Sequence, residues 1–148
     1  MTMTVNAALN RYKNVQVKTS SPGELLVMLY DGLFRFLGEA KTAMESGERA
    51  RAAERISRSH QILQQLNNGL NREHAPDLCD NLHRLYLFAM GHIVQANIQQ
   101  KPENIAEVLR VLTPLREAWT TVVRGEGAKN ENQNVSITTI ASPTISIR

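Results

Sequence analysis

Four histidines, one cysteine and a group of arginines are the side chains of this sequence best placed to do chemistry. A metal site needs His, Cys, Asp or Glu spaced so that several donors reach one ion. His60, His74, His83 and His92 are dispersed, and none lies four residues from another, so each reads as a surface or boundary histidine. The Glu-x-x-His pairs with which helical bundles hold di-iron centres do not occur. Cys79 sits near an expected helix start, where a thiolate is stabilised. It is not expected to have the neighbouring base that nucleophilic catalysis requires. Neither Gly-x-Gly-x-x-Gly nor Gly-Lys-Ser/Thr is present to cradle a phosphate. Arg49, Arg51, Arg55 and Arg58 fall within ten residues, and Arg51, Arg55 and Arg58 share one helical face. Glu48 and Glu54 interrupt that field, and the stacking aromatics of single-strand binders are missing. A solvated helix face is the expectation, with no nucleic-acid partner. The chemistry on offer is that of a binding protein: no enzyme, no cofactor and no metal are expected.

The elements that must position a binding surface are helical. The organising stretch runs from Ser20 to Leu37. Ser21 suits an N-cap, Pro22 the first helical position, and Glu24 completes a capping box. Leu25, Met28, Leu29, Leu33, Phe36, Leu37, Ala40 and Met44 then share one face, and Leu26, Tyr30 and Phe34 run up a neighbouring one. Apolar over more than half its girth, this helix is either central or offers a second face to something outside the chain. Leu26, Tyr30 and Phe34 are therefore candidate partner-binding residues. The helix is expected to end near Ser46, with Gly47 as its cap.

A second helix is expected over roughly 48–72, with Ala52, Ile56, Ser59, Leu63, Leu66 and Leu70 at bundle-seam spacing. Pro76 and Asp77 open a third, to about Gln100, with Leu78, Leu82, Leu85, Ala89, Ile93 and Ala96 as its seam. Gly91 inside it invites close approach by a neighbour. Pro102 opens a fourth, to about Arg124, with the stripe Ile105, Val108, Leu112, Leu115, Trp119 and Val122 and a bend expected at Pro114. Short connections make the simplest architecture an all-α, antiparallel up-and-down four-helix bundle. The division reads as an N-terminal arm over 1–19, a bundle over 20–124 and a flexible tail over 125–148, polar and aperiodic to Asn134 and rich in β-branched residues beyond it, where strand-like or partner-induced order is the alternative to disorder. In the arm, Leu9 and Tyr12 are one helical turn apart and form its only large apolar pair at that spacing.

The whole of 148 residues fits one domain able to bury a real core. A net charge of +3 permits an anionic partner without demanding one. A lone cysteine suits a reducing compartment. No apolar run approaches the roughly 20 residues that span a bilayer, and the first residues lack the pattern of a signal peptide. A cytoplasmic protein without a membrane span is expected.

The sequence also resembles the FliS-type flagellar export chaperones. The likeness is carried by Leu9 and Tyr12, Val17 and Thr19, Ser21-Pro22-x-Glu24-Leu25 and Met28-Leu29-Tyr30-Asp31-Gly32. It continues through Asn81-Leu82-x-x-Leu85-Tyr86, Gln95-Ala96-Asn97, Glu107-Val108 and Leu112-x-x-Leu115-Arg116-Glu117-Ala118-Trp119. Glu73-His74-Ala75 stands where the family often has a glycine pair, and the tail is longer than usual. The resemblance implies a helical bundle that binds the C-terminal segment of flagellin, prevents premature polymerisation and delivers it to the flagellar type III export apparatus. It implies further that the arm folds over the apolar binding surface, with Leu9 and Tyr12 as its anchors and as partner-binding residues. The competing reading is a helical nucleic-acid-associated or structural interaction protein using the arginines of the second helix.

Overall fold

A computed structural model describes residues 21–125. The arm with Leu9 and Tyr12, and the tail beyond 125, lie outside the described residues. Four helices follow in order: α1 (Pro22–Glu45), α2 (Arg49–Asn68), α3 (Pro76–Gln99) and α4 (Pro102–Gly125). They form the expected antiparallel four-helix bundle, and no strand occurs among the described residues. None of these helices is long and apolar enough to cross a membrane.

Local chemistry fixes the ends of α1. Ser21 Oγ accepts the Glu24 N–H at 3.2 Å, while the Ser21 N–H donates to Glu24 Oε1 at 2.8 Å, which closes the capping box. At the other end Gly47 takes φ +75°. The Gly47 N–H then reaches the Met44 carbonyl (3.1 Å) and the Glu48 N–H the Ala43 carbonyl (2.8 Å), a Schellman ending that satisfies two orphan acceptors. α2 stops at Asn68, about four residues earlier than the spacing of its leucines predicts. Asn71 organises the turn that follows. Its side chain accepts the Glu73 N–H (3.2 Å), and its carbonyl accepts the Cys79 thiol (3.3 Å) and the His74 N–H (3.4 Å). α3 ends on Gln100, a left-handed residue at φ 53° whose side-chain Nε2 donates to the Asn97 carbonyl (2.8 Å). α4 runs on through Pro114, which is exposed. The Arg110 carbonyl that Pro114 cannot satisfy lies on the same exposed side, where water can reach it.

α1 packs on α2 and α4, and α3 closes the ring against those same two helices. The core is a stack of seam residues, with one correction of phase. In α1 the seam is Leu26, Tyr30, Leu33, Leu37, Ala40 and Met44, all buried, whereas Leu25, Met28 and Phe36 are half-buried. In α3 it is Cys79, Leu82, Tyr86, Ala89, Ile93 and Ala96, and the expected seam residue Leu78 lies 38% exposed. The seams of α2 and α4 fall as expected, apart from half-burial of Leu70, Leu115 and Val122 and the addition of Ile62. Ser59, fully buried in α2, is satisfied by donating to the Arg55 carbonyl at 2.9 Å. Across the α1–α3 diagonal the Tyr30 and Tyr86 hydroxyls meet at 2.6 Å.

Each neighbouring pair around the ring also carries one polar clasp. Glu39 Oε1 meets Arg55 Nε at 2.8 Å between α1 and α2. His83 Nδ1 meets Asn67 Oδ1 at 2.8 Å between α3 and α2. His92 Nε2 meets Glu107 Oε1 at 2.9 Å between α3 and α4, and Arg116 meets Asp31 Oδ1 at 2.7–2.8 Å between α4 and α1. Glu39 Oε1 and Arg55 Nε meet out of reach of solvent. The other three clasps are partly exposed, so each of those stabilises by at most about 1 kcal/mol and serves mainly to set which helix faces which.

Candidate functional site

The chemistry-bearing residues do not gather into a catalytic or metal site. His60, His74, His83 and His92 stay apart, and no group of three potential metal ligands comes together among the described residues. Cys79 is buried and donates to a carbonyl, and burial pushes its thiol up, away from the reactive thiolate. His83 does lie one helical turn beyond Cys79, a spacing the sequence reading passed over, but its ring is bonded to Asn67 on α2. Two of the four arginines on α2 are also occupied, while Arg49 and Arg51 are exposed at its start. Arg55 pairs with Glu39 and Glu54, and Arg58 pairs with Glu54. Both guanidiniums, with that of Arg35, lie within 4.6–5.8 Å of the Phe36 ring centre. Charges compensated and stacked in this way make a poor phosphate-binding stripe.

The partner-binding candidates on α1 separate. Leu26 (1% exposed) and Tyr30 (0%) belong to the core seam and present no surface to a partner in this arrangement. Their apolar neighbours on every side allowed two phases, and the helix settles with these two inward. Phe34 is half-buried at the α1–α4 edge, with the Arg116 guanidinium 5.0 Å from its ring centre. Beside it, Val27, Asp31, Thr113, Arg116 and Thr120 line an open, mainly polar groove of about 490 Å³.

What the sequence reading missed is the outer face of α3. Leu78, Leu87, Phe88, Val94 and Ile98 are the exposed large hydrophobics among the described residues, and all five are on this helix. Leu87, Gly91, Val94 and Ile98 recur at steps of four, three and four, so they form one row, turned away from the buried Ala89, Ile93 and Ala96. Phe88 flanks the row and is stacked on the His92 ring at 4.8 Å, and the bond from His92 to Glu107 holds that ring in place. From Leu85 to Gln100 the chain has no Asp, Glu, Lys or Arg. The row from Leu87 to Ile98 extends roughly 16 Å along the helix at its usual rise per residue. A contiguous apolar strip of this kind, with Arg84 at one end and Lys101 at the other, is the mark of an interaction surface. It fits the apolar side of an amphipathic segment laid alongside the bundle.

Comparison with known proteins points the same way. The family described as "Flagellar protein FliS" matches residues 5–126. The flagellar secretion chaperone FliS of Bacillus subtilis is 32% identical over 124 residues, covering 84% of this chain and 92% of that protein. Its counterpart in Campylobacter jejuni is 32% identical over 121 residues, covering 82% and 94%. That of Vibrio cholerae is 29% identical over 122 residues, covering 80% and 90%. With a helical bundle, a family match over residues 5–126 that spans it, and relatives named flagellar secretion chaperones at 32% identity over most of their length, the chain belongs to the FliS family of flagellar proteins.

Proposed function

We propose that this protein binds the C-terminal segment of flagellin in the cytoplasm, keeps it from polymerising early and presents it to the flagellar type III export apparatus. The observation that carries the reading is the uncharged apolar outer face of α3. A segment that becomes helix in a filament is amphipathic, and unassembled it leaves its apolar side in water. Laying that side on Leu87, Phe88, Val94 and Ile98 removes both apolar surfaces from solvent at once. No bond is made or broken, so binding is reversible and the segment can be handed on. The family membership supports a role in flagellar secretion, since the relatives are named for it.

The N-terminal arm belongs to the same proposal. Leu9 and Tyr12, as a small apolar pair on a short tether, are suited to cover an apolar face until the client displaces them. Phe34 has surface to add at the α1–α4 edge, while Leu26 and Tyr30 lie in the core and present none. Components of the export apparatus are further expected partners of the loaded complex.

Titration calorimetry with full-length flagellin, and with flagellin lacking its C-terminal segment, tests this directly. Full-length flagellin is expected to bind at about one-to-one stoichiometry with a negative heat-capacity change, the robust marker of apolar burial. The truncated protein is expected not to bind. Absence of binding by full-length flagellin at micromolar concentrations would overturn the assignment.

A further inference from the structure

We propose that Gly91 is the crossing point at which a helical stretch of the bound segment lies against α3, with one apolar side chain seated in the notch the glycine leaves. This placement rests on α3's outer face being the docking surface argued above. The fold itself gives no reason for a glycine here. The sequence leads one to expect close approach by a neighbouring helix, yet Gly91 is exposed and a Cβ built on it meets nothing within 4 Å. Its φ is not among the positive values, so no special backbone conformation calls for it either. A glycine in an exposed helix interior disfavours the folded state relative to alanine. What it does create is a strip of bare backbone at the summit of the apolar row, one turn after Leu87, one turn before Val94 and beside Phe88.

Two helices approach most closely where the facing residue is small, because the side chains at the contact set the distance between axes. Leu87 and Val94 form the two ends of the notch, Ile98 prolongs the row, and Phe88 supplies a side wall. With no formal charge from Leu85 to Gln100, a seated side chain is apolar and the partner's charges fall outside the strip.

A second copy of this chain fits the notch badly. An antiparallel pair of α3 helices crossing at Gly91 would set Arg84 against Ile98 and Leu87 against Gln95. A parallel pair would set Arg84 against Arg84 and Asp80 against Asp80. The first also brings Phe88 to Val94 and the second brings the apolar residues together in like pairs, but the first buries charge on an apolar residue and the second opposes like charges. With a second copy disfavoured, the committed occupant is the amphipathic C-terminal segment of flagellin, in the place that the arm is proposed to cover until the client displaces it.

Gly91→Ala and Gly91→Leu in the full-length chain test the placement, with thermal melts and calorimetric titration against full-length flagellin. Gly91→Ala is expected to melt about 2–4 °C higher, because the Cβ has room and the helix gains propensity. Gly91→Leu is expected to stay folded yet bind flagellin at least about tenfold more weakly, since the filled notch holds the partner off. Gly91→Ala should fall between Gly91→Leu and wild type in affinity. If wild type binds flagellin and both variants bind it equally well, the crossing point is wrong while the chaperone reading stands. If wild type does not bind flagellin, both fall together. A concentration-dependent dimer of wild type that Gly91→Leu abolishes would assign the row to a second copy and overturn the proposal.

Discussion

At the scale of single residues, the Tyr30–Tyr86 contact is the most informative in the core. Both rings are almost wholly buried, and the hydroxyls are 2.6 Å apart, each the other's partner. The Trp119 indole N–H is buried close by without a well-formed hydrogen bond, near enough to Tyr30 to act on its phenol. Tyr30→Phe leaves the Tyr86 hydroxyl buried and alone, at an expected cost of about 1–3 kcal/mol. Tyr86→Phe should cost a similar amount, and the double variant clearly less than the sum of the two. Urea unfolding of the four proteins measures the coupling, and strict additivity would mean the pair is not a unit. Alkali gives a second readout. Burial pushes Tyr30 up to about 12 and Tyr86 well above the usual tyrosine value of 10. In both, the folded chain keeps a proton that the unfolded chain surrenders. Their contribution is thus complete below the unfolded value and is lost as pH climbs from 10 through 12. The double phenylalanine variant should flatten that decline.

Among the elements, the ends proved more legible than the faces. Ser21, Pro22, Glu24 and Gly47 announce where α1 starts and stops because capping is local, a matter of residues three or four apart. Two of these ends yield a paired prediction. Gly47→Ala should destabilise by about 1 kcal/mol, since φ +75° is costly for any residue with a Cβ. Gln100→Gly should stabilise by up to about 1 kcal/mol, less whatever the Nε2 bond to Asn97 contributes. Thermal melts that move in the same direction for both would contradict the left-handed geometry at one of them. The rotation of α1 was not legible. With Leu25, Leu26, Met28, Leu29, Phe34 and Phe36 all apolar, two phases satisfy periodicity, and the choice falls to Tyr86, a partner 56 residues away. α2 overran in the reading because Leu70 prolongs its seam spacing, whereas the turn that halts it depends on the Asn71 side chain and on Cys79 in the next helix. On α3 the inward seam carries the regular apolar spacing. The outer row was visible only as an absence of charge between Leu85 and Gln100, and a glycine type alone does not say whether the space above it is filled or open.

For the molecule as a whole, the division of labour follows the ring. Four polar clasps fix which helix neighbours which, the seams supply the stability, and the outer face of α3, left uncovered among the described residues, is the surface proposed for a partner. Leu87→Glu with Ile98→Glu tests that separation. Both side chains are well exposed, so the melting temperature should move by no more than about 2 °C. Binding of flagellin and uptake of an apolar dye should both be lost. A collapse of the fold would show that the strip is structural instead. The position of Trp119 adds an optical consequence. It is the only indole in the chain, 5% exposed and edge-on to Tyr30 at 6.5 Å. It sits in the seam of α4, inside the ring and not on α3's outward strip. Its emission therefore gauges the dryness of the core, blue while the helices stay closed and red once water enters. A client that docks on the outside leaves that colour alone, while one that pries the helices apart must change it.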